Sequence, residues 1–251
     1  MGTRFITLIL ALSILLSCRE KREIKTIEGR CIAVTTIEQN GVAEQVRKLI
    51  ENGNAAVDSV KAPIIGECAK RLTLFSPESP LMNFAADALM EMAKQHSKER
   101  IDIAITNKGG LRSEINEGIV TFGDIYNVFP FENTLTLLTL EGEQLWKLFE
   151  EIAKEDGEAI SGARIEMTQN GRLVNATVAG KPIVPTKKYR IATSDYLSQG
   201  NDGLNTLATG SNKMEYSLTI RDLMIEYIAS LHKKNVAIDA DCDGRIKIVT
   251  E

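Results

Sequence analysis

The sequence predicts a layered α/β (α+β) domain in which helices pack on mixed sheets. Three observations carry that expectation. Short apolar runs of strand length alternate with amphipathic stretches of helix length. Two adjacent runs, Ala163–Thr168 and Leu173–Val178, are joined through Asn170-Gly171, the signature of a tight hairpin and therefore of antiparallel pairing. The composition, 43% hydrophobic and 25% charged over 251 residues, is that of an ordinary globular protein with one or two domains. Hairpins mixed with helices argue for layered sheets and against a Rossmann sheet.

The elements follow in order. Residues 1–18, MGTRFITLILALSILLSC, carry one Arg and then an apolar run from Ile6 to Leu16. That run is too short to span a bilayer and suits the core of a signal peptide. Leu15-Leu16-Ser17-Cys18 resembles a bacterial lipobox. The resemblance implies cleavage before Cys18, lipidation of its sulfur, and a protein tethered outside the cytoplasm, on the periplasmic side or at the cell surface. Residues 19–30 are charged and lack apolar periodicity, as expected of a tether. A single domain is expected over residues 31–251.

Within it, Cys31–Ile37 is β-rich, and Gly41–Glu51 has helical spacing with Val42, Val46, Leu49 and Ile50 on one side. Pro63–Glu67 begins an extended stretch. Ser79-Pro80 opens a helix to about His96, serine serving as N-cap and proline as first helical residue. Ile101–Thr106 and Leu135–Leu140 read as buried strands. Gly142–Lys154 is an amphipathic helix with Leu145, Leu148, Phe149 and Ile152 inward. Beyond the hairpin come a strand at Tyr189–Thr193, a helix at Leu218–Lys233 and a closing strand at Arg245–Val249.

Charge and side-chain inventory bound the chemistry. A net charge of −4 offers no basic footprint for a nucleic-acid polymer. Two histidines, His96 and His232, are few for a hydrolytic metal centre, and both read as solvated residues at helix ends. Cys31, Cys68 and Cys242 include no CxxC pair and read as small buried hydrophobes. Asp239-Ala240-Asp241-Cys242-Asp243-Gly244 matches the start of a calcium-binding loop, but Thr250 stands where a bidentate Glu is needed and a strand follows. It reads as an acidic turn.

Two loops that follow strands hold the candidate binding groups. In Asn107-Lys108-Gly109-Gly110-Leu111-Arg112, the glycines permit φ > 0 and a close backbone approach, so the N–H groups can point at an anion beside the Arg112 guanidinium. The same residues also suit a tight turn with a solvated Arg. The second loop runs from Thr193 to Gly203 and carries Tyr196 and then Asn201-Asp202-Gly203. Its Asp is either a turn former or an acceptor for ribose hydroxyls. A ring and a polar group on each of two loops, with Phe129 and Phe131 flanking Pro130, hint at a site for a stacked nucleobase.

From about Pro63 to Val249 the chain resembles the C-terminal domain of the 5′-nucleotidases. The resemblance rests on NKGGLR, on Val128-Phe129-Pro130-Phe131-Glu132-Asn133 and on Gly200-Asn201-Asp202-Gly203, in the family's order. It implies a sandwich of helices and mixed sheets. It implies that Phe131 and Tyr196 hold the base between two rings, that Asp202 takes the ribose hydroxyls, and that Arg112 contacts phosphate or ribose. Asn107 would contact base or sugar, Asn133 the base, and Gly109 and Gly110 would shape the loop. The second ring is Phe in the family, and Tyr keeps its π-face. An Arg that the family often carries shortly before the helix is missing from Leu74–Glu78.

Full-length members carry a metallophosphoesterase domain with Asp-x-His and Gly-Asn-His-Glu motifs, none of which occurs here. No catalytic residue, metal ligand or cofactor is therefore expected on this chain, and activity alone is not expected. Divalent metals are expected on a partner, a separate metallophosphatase chain working with this one in nucleotide catabolism. The alternative is an extracytoplasmic nucleotide- or nucleoside-binding module without a hydrolytic role.

Overall fold

A computed structural model describes residues 41–250. The signal peptide, the lipidation site at Cys18, the tether and the strand expected at Cys31–Ile37 lie outside these residues. The chain divides into two units, Met1–Lys48 and Leu49–Glu251. The described residues of the first are helical and belong to α1, Gly41–Lys61, a helix longer than the expected Gly41–Glu51. In the second unit, Leu49, Ile50 and Val60 of this helix are exposed.

The centre of the second unit is a five-stranded sheet. It comprises β2 (Ile103–Thr106), β4 (Thr134–Glu141), β5 (Ala159–Ser161), β9 (Lys188–Ser194) and β10 (Ser211–Thr219), in the order β10-β4-β9-β2-β5. β2 and β9 run parallel while the other neighbours are antiparallel, so the sheet is mixed. Strand alternation distributes its side chains between two cores. Leu135, Leu137 and Ala192 join α2 (Pro80–Ser97) and α6 (Ile220–His232). Leu138, Leu140 and Ile191 join α4 (Gly142–Lys154), which contributes Leu145, Leu148, Phe149 and Ile152 as expected. Both faces of β4 are buried, Thr136 and Thr139 included, so its four leucines divide between the two cores.

Local signals set the helix starts. The Ser79 hydroxyl accepts the Met82 N–H at 3.3 Å, with Pro80 at the first helical position. β1 (Ile64–Cys68) pairs antiparallel with β3 (Gly118–Thr121), and at Gly66 a Cβ would lie 2.6 Å from Ile228 Cγ2, so only glycine lets α6 pack this closely. A smaller sheet has the order β11-β6-β7-β8. It contains the hairpin of β6 (Ala163–Met167) and β7 (Leu173–Val178), with Gly171 at φ 77° in the turn, together with β8 (Lys181–Pro182) and β11 (Ile246–Ile248).

Three local expectations change, and one short helix appears that none had named. Residues 218–219 end β10 instead of opening a helix, because the Thr219 hydroxyl accepts the Asp222 N–H at 3.0 Å and starts α6 at Ile220. The short helix α3 (Phe122–Val128) begins at a reciprocal cap between Thr121 and Asp124. His96 is not free at its helix end: its Nε2 lies 2.8 Å from Glu226 Oε2. Cys68 is buried but Cys242 is exposed, because it sits in the acidic surface turn; neither is in a disulfide. In that turn, the Lys70 ammonium lies 2.8 Å from Asp239 and 2.7 Å from Asp241, and Arg245 takes Asp243 at 3.1 Å, so cations of the chain neutralise its carboxylates.

Candidate functional site

The mixed sheet explains why sequence-distant residues meet. β2 and β9 are parallel, so both release their following loops at the same edge of the sheet. β4 is antiparallel to β9 and pairs Leu135 with Ser194, so the segment entering β4 arrives at that same edge. Outside the carboxyl ends of parallel strands is where ligand crevices form in such sheets. There, Asn107, Gly109, Phe131, Asn133, Tyr196 and Asp202 line one cavity of about 270 Å³. A small adjoining pocket brings Gly110 beside Asn107, Phe131 and Asn133. Phe131 and Tyr196 keep 49% and 38% of their surface in solvent, whereas Phe129 keeps 5%. The aromatic pair flanking Pro130 is thus divided between core and cavity.

Asp202 is the polar centre. Its Oδ2 accepts from Asn107 Nδ2 at 2.6 Å and its Oδ1 from the Tyr196 hydroxyl at 2.8 Å, which raises the Tyr196 pKa and keeps the phenol protonated. A carboxylate offers about four lone-pair sites, so each oxygen retains one for a ligand donor. Asp202 itself sits at φ 53°, between Gly200 at 86° and Gly203 at 77°. Left-handed backbone at these positions turns the chain back beneath Tyr196. The Asp195 carboxylate accepts the Thr134 N–H at 2.9 Å and the Tyr196 N–H at 2.8 Å, joining the start of β4 to the short helix α5 (Asp195–Ser198).

The first loop is built differently from expectation. It forms one 3₁₀ turn over Lys108–Gly110, with neither glycine at positive φ. Gly110 is required by close approach instead: a Cβ there would lie 2.8 Å from Asn107 Oδ1. Four of the loop's N–H groups already have protein acceptors. Lys108 N–H donates to Glu158 at 2.5 Å, Gly110 N–H to Asn107 O at 3.0 Å, Leu111 N–H to Lys108 O at 3.0 Å and Arg112 N–H to Val128 O at 2.9 Å. Arg112 does not line the cavity; its Nη1 turns back to Gly109 O at 3.3 Å.

Residues that the sequence did not single out support the site from behind. The Lys108 ammonium donates to the carbonyls of Glu155, Asp156 and Gly157, just past the end of α4, where a cation opposes the helix dipole. Glu158 is buried, and that burial, with Asp202 and Glu155 nearby, pushes its pKa up to about 7 against the opposing pull of Lys108. Gly203 packs on the same turn, a Cβ there falling 2.6 Å from Glu155 Oε1. The Phe131 segment has its own brace: buried Arg221 donates to the carbonyls of Phe129 and Pro130 at 3.3 Å and pairs with Glu132 at 2.7 Å. These partners lie 47 to 92 residues apart in sequence, beyond any local pattern.

Among the described residues, no group of three or more His, Cys, Asp or Glu is arranged to hold a metal ion. No described helix is long and apolar enough to cross a membrane.

Comparison with known proteins gives a consistent result. The 5′-nucleotidase C-terminal domain family matches residues 56–209. The chain is 29% identical over 187 residues to the trifunctional nucleotide phosphoesterase protein YfkN of Bacillus subtilis, covering 68% of this chain and 12% of that protein. It is 30% identical over 170 residues to the NAD 5′-nucleotidase of Haemophilus influenzae, covering 60% and 28%. The chain thus spans a minor part of these relatives. Its fold matches the 5′-nucleotidase precursor of Thermus thermophilus at TM-score 0.71 and 23% identity, over 83% of this chain and 44% of that one. With the matched region containing all three segments that converge on the cavity, the chain belongs to the 5′-nucleotidase C-terminal domain family.

Proposed function

We propose that this domain recognises a nucleoside or nucleotide for a 5′-nucleotidase-type phosphohydrolase and that a separate metallophosphatase chain supplies the metals. The observation that carries the reading is the convergence of Phe131, Tyr196, Asn107, Asn133 and Asp202 on one cavity. Two exposed rings beside a polar centre suit a flat base, and base stacking contributes roughly 1–3 kcal/mol. The two remaining acceptor sites of Asp202 suit the vicinal hydroxyls of ribose. Asn133 offers a donor and an acceptor to the base, and Asn107 does the same to base or sugar.

Hydrolysis needs a group that activates water and stabilises the phosphoryl oxygens, which the side chains lining the cavity do not supply. Relatives named as a nucleotide phosphoesterase and a nucleotidase are several times longer than the matched region, which is consistent with a division of labour between recognition and chemistry. In this reading the chain is held outside the cytoplasm by lipid on Cys18, serves nucleotide catabolism and is inactive alone.

The test is reconstitution. Each chain is assayed for release of phosphate from nucleoside monophosphates in the presence of a divalent metal, then both together. Activity on nucleotides should appear, or rise at least about tenfold, only in the mixture. Equal activity of the phosphatase without this chain, together with failure of the two to co-elute, would exclude the split enzyme. Nucleoside binding retained in that case would leave a binding module.

A further inference from the structure

We infer that Arg221 and Tyr126 are positioning residues for the aromatic wall of the cavity: the Tyr126 ring holds the Arg221 guanidinium, and the guanidinium fixes the segment that carries Phe131 and Asn133. The inference rests on the recognition reading above and names what sets the pose of the ring. Neither residue lines the cavity.

Phe131 needs support from outside. Half its surface is in solvent, so core packing does not fix the ring. Phe129, which ends α3, has φ −118° and ψ 69°, outside both helical and extended geometry. Its carbonyl and that of Pro130 are taken by one group, Arg221 Nη1, which donates to each at 3.3 Å. Nη2 donates to the Glu132 carboxylate at 2.7 Å. One residue earlier, the Ile220 N–H donates to Asn133 O at 2.8 Å. The first turn of α6 therefore grips the chain on both sides of Phe131. Phe129 is buried and the Pro130 ring fixes its own φ, so little backbone freedom is left. Ile220 and Arg221 both lie beyond residues 56–209, the stretch that the family match covers.

Tyr126 places the guanidinium. Arg221 Cζ lies over its ring, 4.4 Å from the centroid. A guanidinium stacked on a ring keeps its in-plane donors aimed at acceptors around its edge. Glu132 cannot do this work, because 78% of its side chain is in solvent and an exposed ion pair holds its geometry weakly. The ring stands on a fixed platform. α3 starts at the Thr121–Asp124 cap, its Phe122 N–H donates to Pro63 O at 2.9 Å, and a Cβ at Gly123 would lie 2.8 Å from Lys61 Cβ. Lysine would not replace Arg221, since an ammonium has neither the planar fork nor the stacking face.

The experiment reads the ring directly. The full chain is prepared with a fluorinated phenylalanine at position 131 for fluorine NMR, and the unlabelled chain is titrated with adenosine by calorimetry. The parent label should give one narrow line. Arg221→Lys and Tyr126→Leu should each split or broaden it. Adenosine should bind both variants roughly 3- to 10-fold more weakly, the cost of ordering a wall that the parent holds in place. Tyr126→Phe keeps the ring face and should match the parent in line shape and, within about twofold, in affinity. Tyr126 is part-exposed and leucine keeps its apolar contacts, so the comparison stands even where Arg221→Lys does not fold.

An unchanged line and unchanged affinity in Tyr126→Leu would overturn the inference. So would a lowered melting temperature with an unchanged line, which would make both residues supports of the fold alone. Damage in Tyr126→Phe equal to that in Tyr126→Leu would assign the role to the hydroxyl and also overturn it. If the parent does not bind adenosine but the line responds as expected, the recognition reading falls and the clamp on Phe131 stands.

Discussion

The two loops that frame the cavity solve opposite problems. The Asn107–Arg112 loop is held by backbone: four of its N–H groups have protein acceptors, and its lysine is engaged beneath it. The Tyr196–Gly203 loop is held by conformation, with Gly200, Asp202 and Gly203 all left-handed, and it exposes both its ring and its carboxylate. One loop is scaffold with a single reaching side chain, Asn107. The other delivers the groups that a ligand meets. Substitutions should therefore separate stability from binding according to loop.

The largest expected effect lies under the first loop. Glu158 has a folded-state pKa of about 7 against an ordinary 4.5. A carboxyl with a raised pKa binds more protons folded than unfolded, so its favourable share of stability is fully present below pH 4.5 and is lost as pH rises through about 7. The upper size of that loss is about 3 kcal/mol from the shift alone. Chemical denaturation between pH 5 and pH 8 should show stability falling with pH, and Glu158→Gln should flatten the slope. An unchanged slope in the variant would place the titration elsewhere.

On the second loop, Tyr196→Ala should weaken adenosine binding by roughly ten- to a hundredfold through lost stacking. Its melting temperature should stay close to that of the parent, because the ring faces the cavity and belongs to neither hydrophobic core. A large loss of stability would instead make Tyr196 a structural residue and dissolve the contrast between the loops.

Lys108→Met keeps the aliphatic stem and removes the ammonium that serves the carbonyls beyond α4. Stability should fall by about 1–2 kcal/mol, and binding should weaken as a consequence of loop disorder. Binding of adenosine that weakens with stability unchanged would mean that Lys108 reaches the ligand after all. The smallest effect is expected for Tyr196→Phe, which keeps the π-face and removes the hydroxyl from Asp202. Affinity should drop roughly two- to fivefold, measured by the same titration.

Much of this molecule was visible in local pattern. Ser79-Pro80, the apolar stripe of Gly142–Lys154 and Asn170-Gly171 each specify their own conformation through neighbours within a turn of chain. Asn107, Phe131, Asn133, Tyr196 and Asp202 were legible as a set because three motifs stood in order. β10 was not, since an edge strand exposed along most of its length carries little apolar alternation. Nor was Arg221, a charged residue whose burial depends on carbonyls some ninety positions away.

By itself the sequence determined where several strands and helices lie, which rings and carboxylates are available, and which family's motifs they compose, because periodicity and capping are short-range physics. Only the tertiary structure decided where the donors point. Lys108 and Arg112 are both cations in a glycine-rich loop, and only Arg112 was expected to meet a phosphate. Packing the end of α4 under that loop sets three carbonyls against Lys108 and leaves Arg112 on its own turn. A hydrogen-bonding group takes the acceptors that the fold brings to it, and for Lys108 those came from the turn beyond α4, 47 to 49 residues away in sequence.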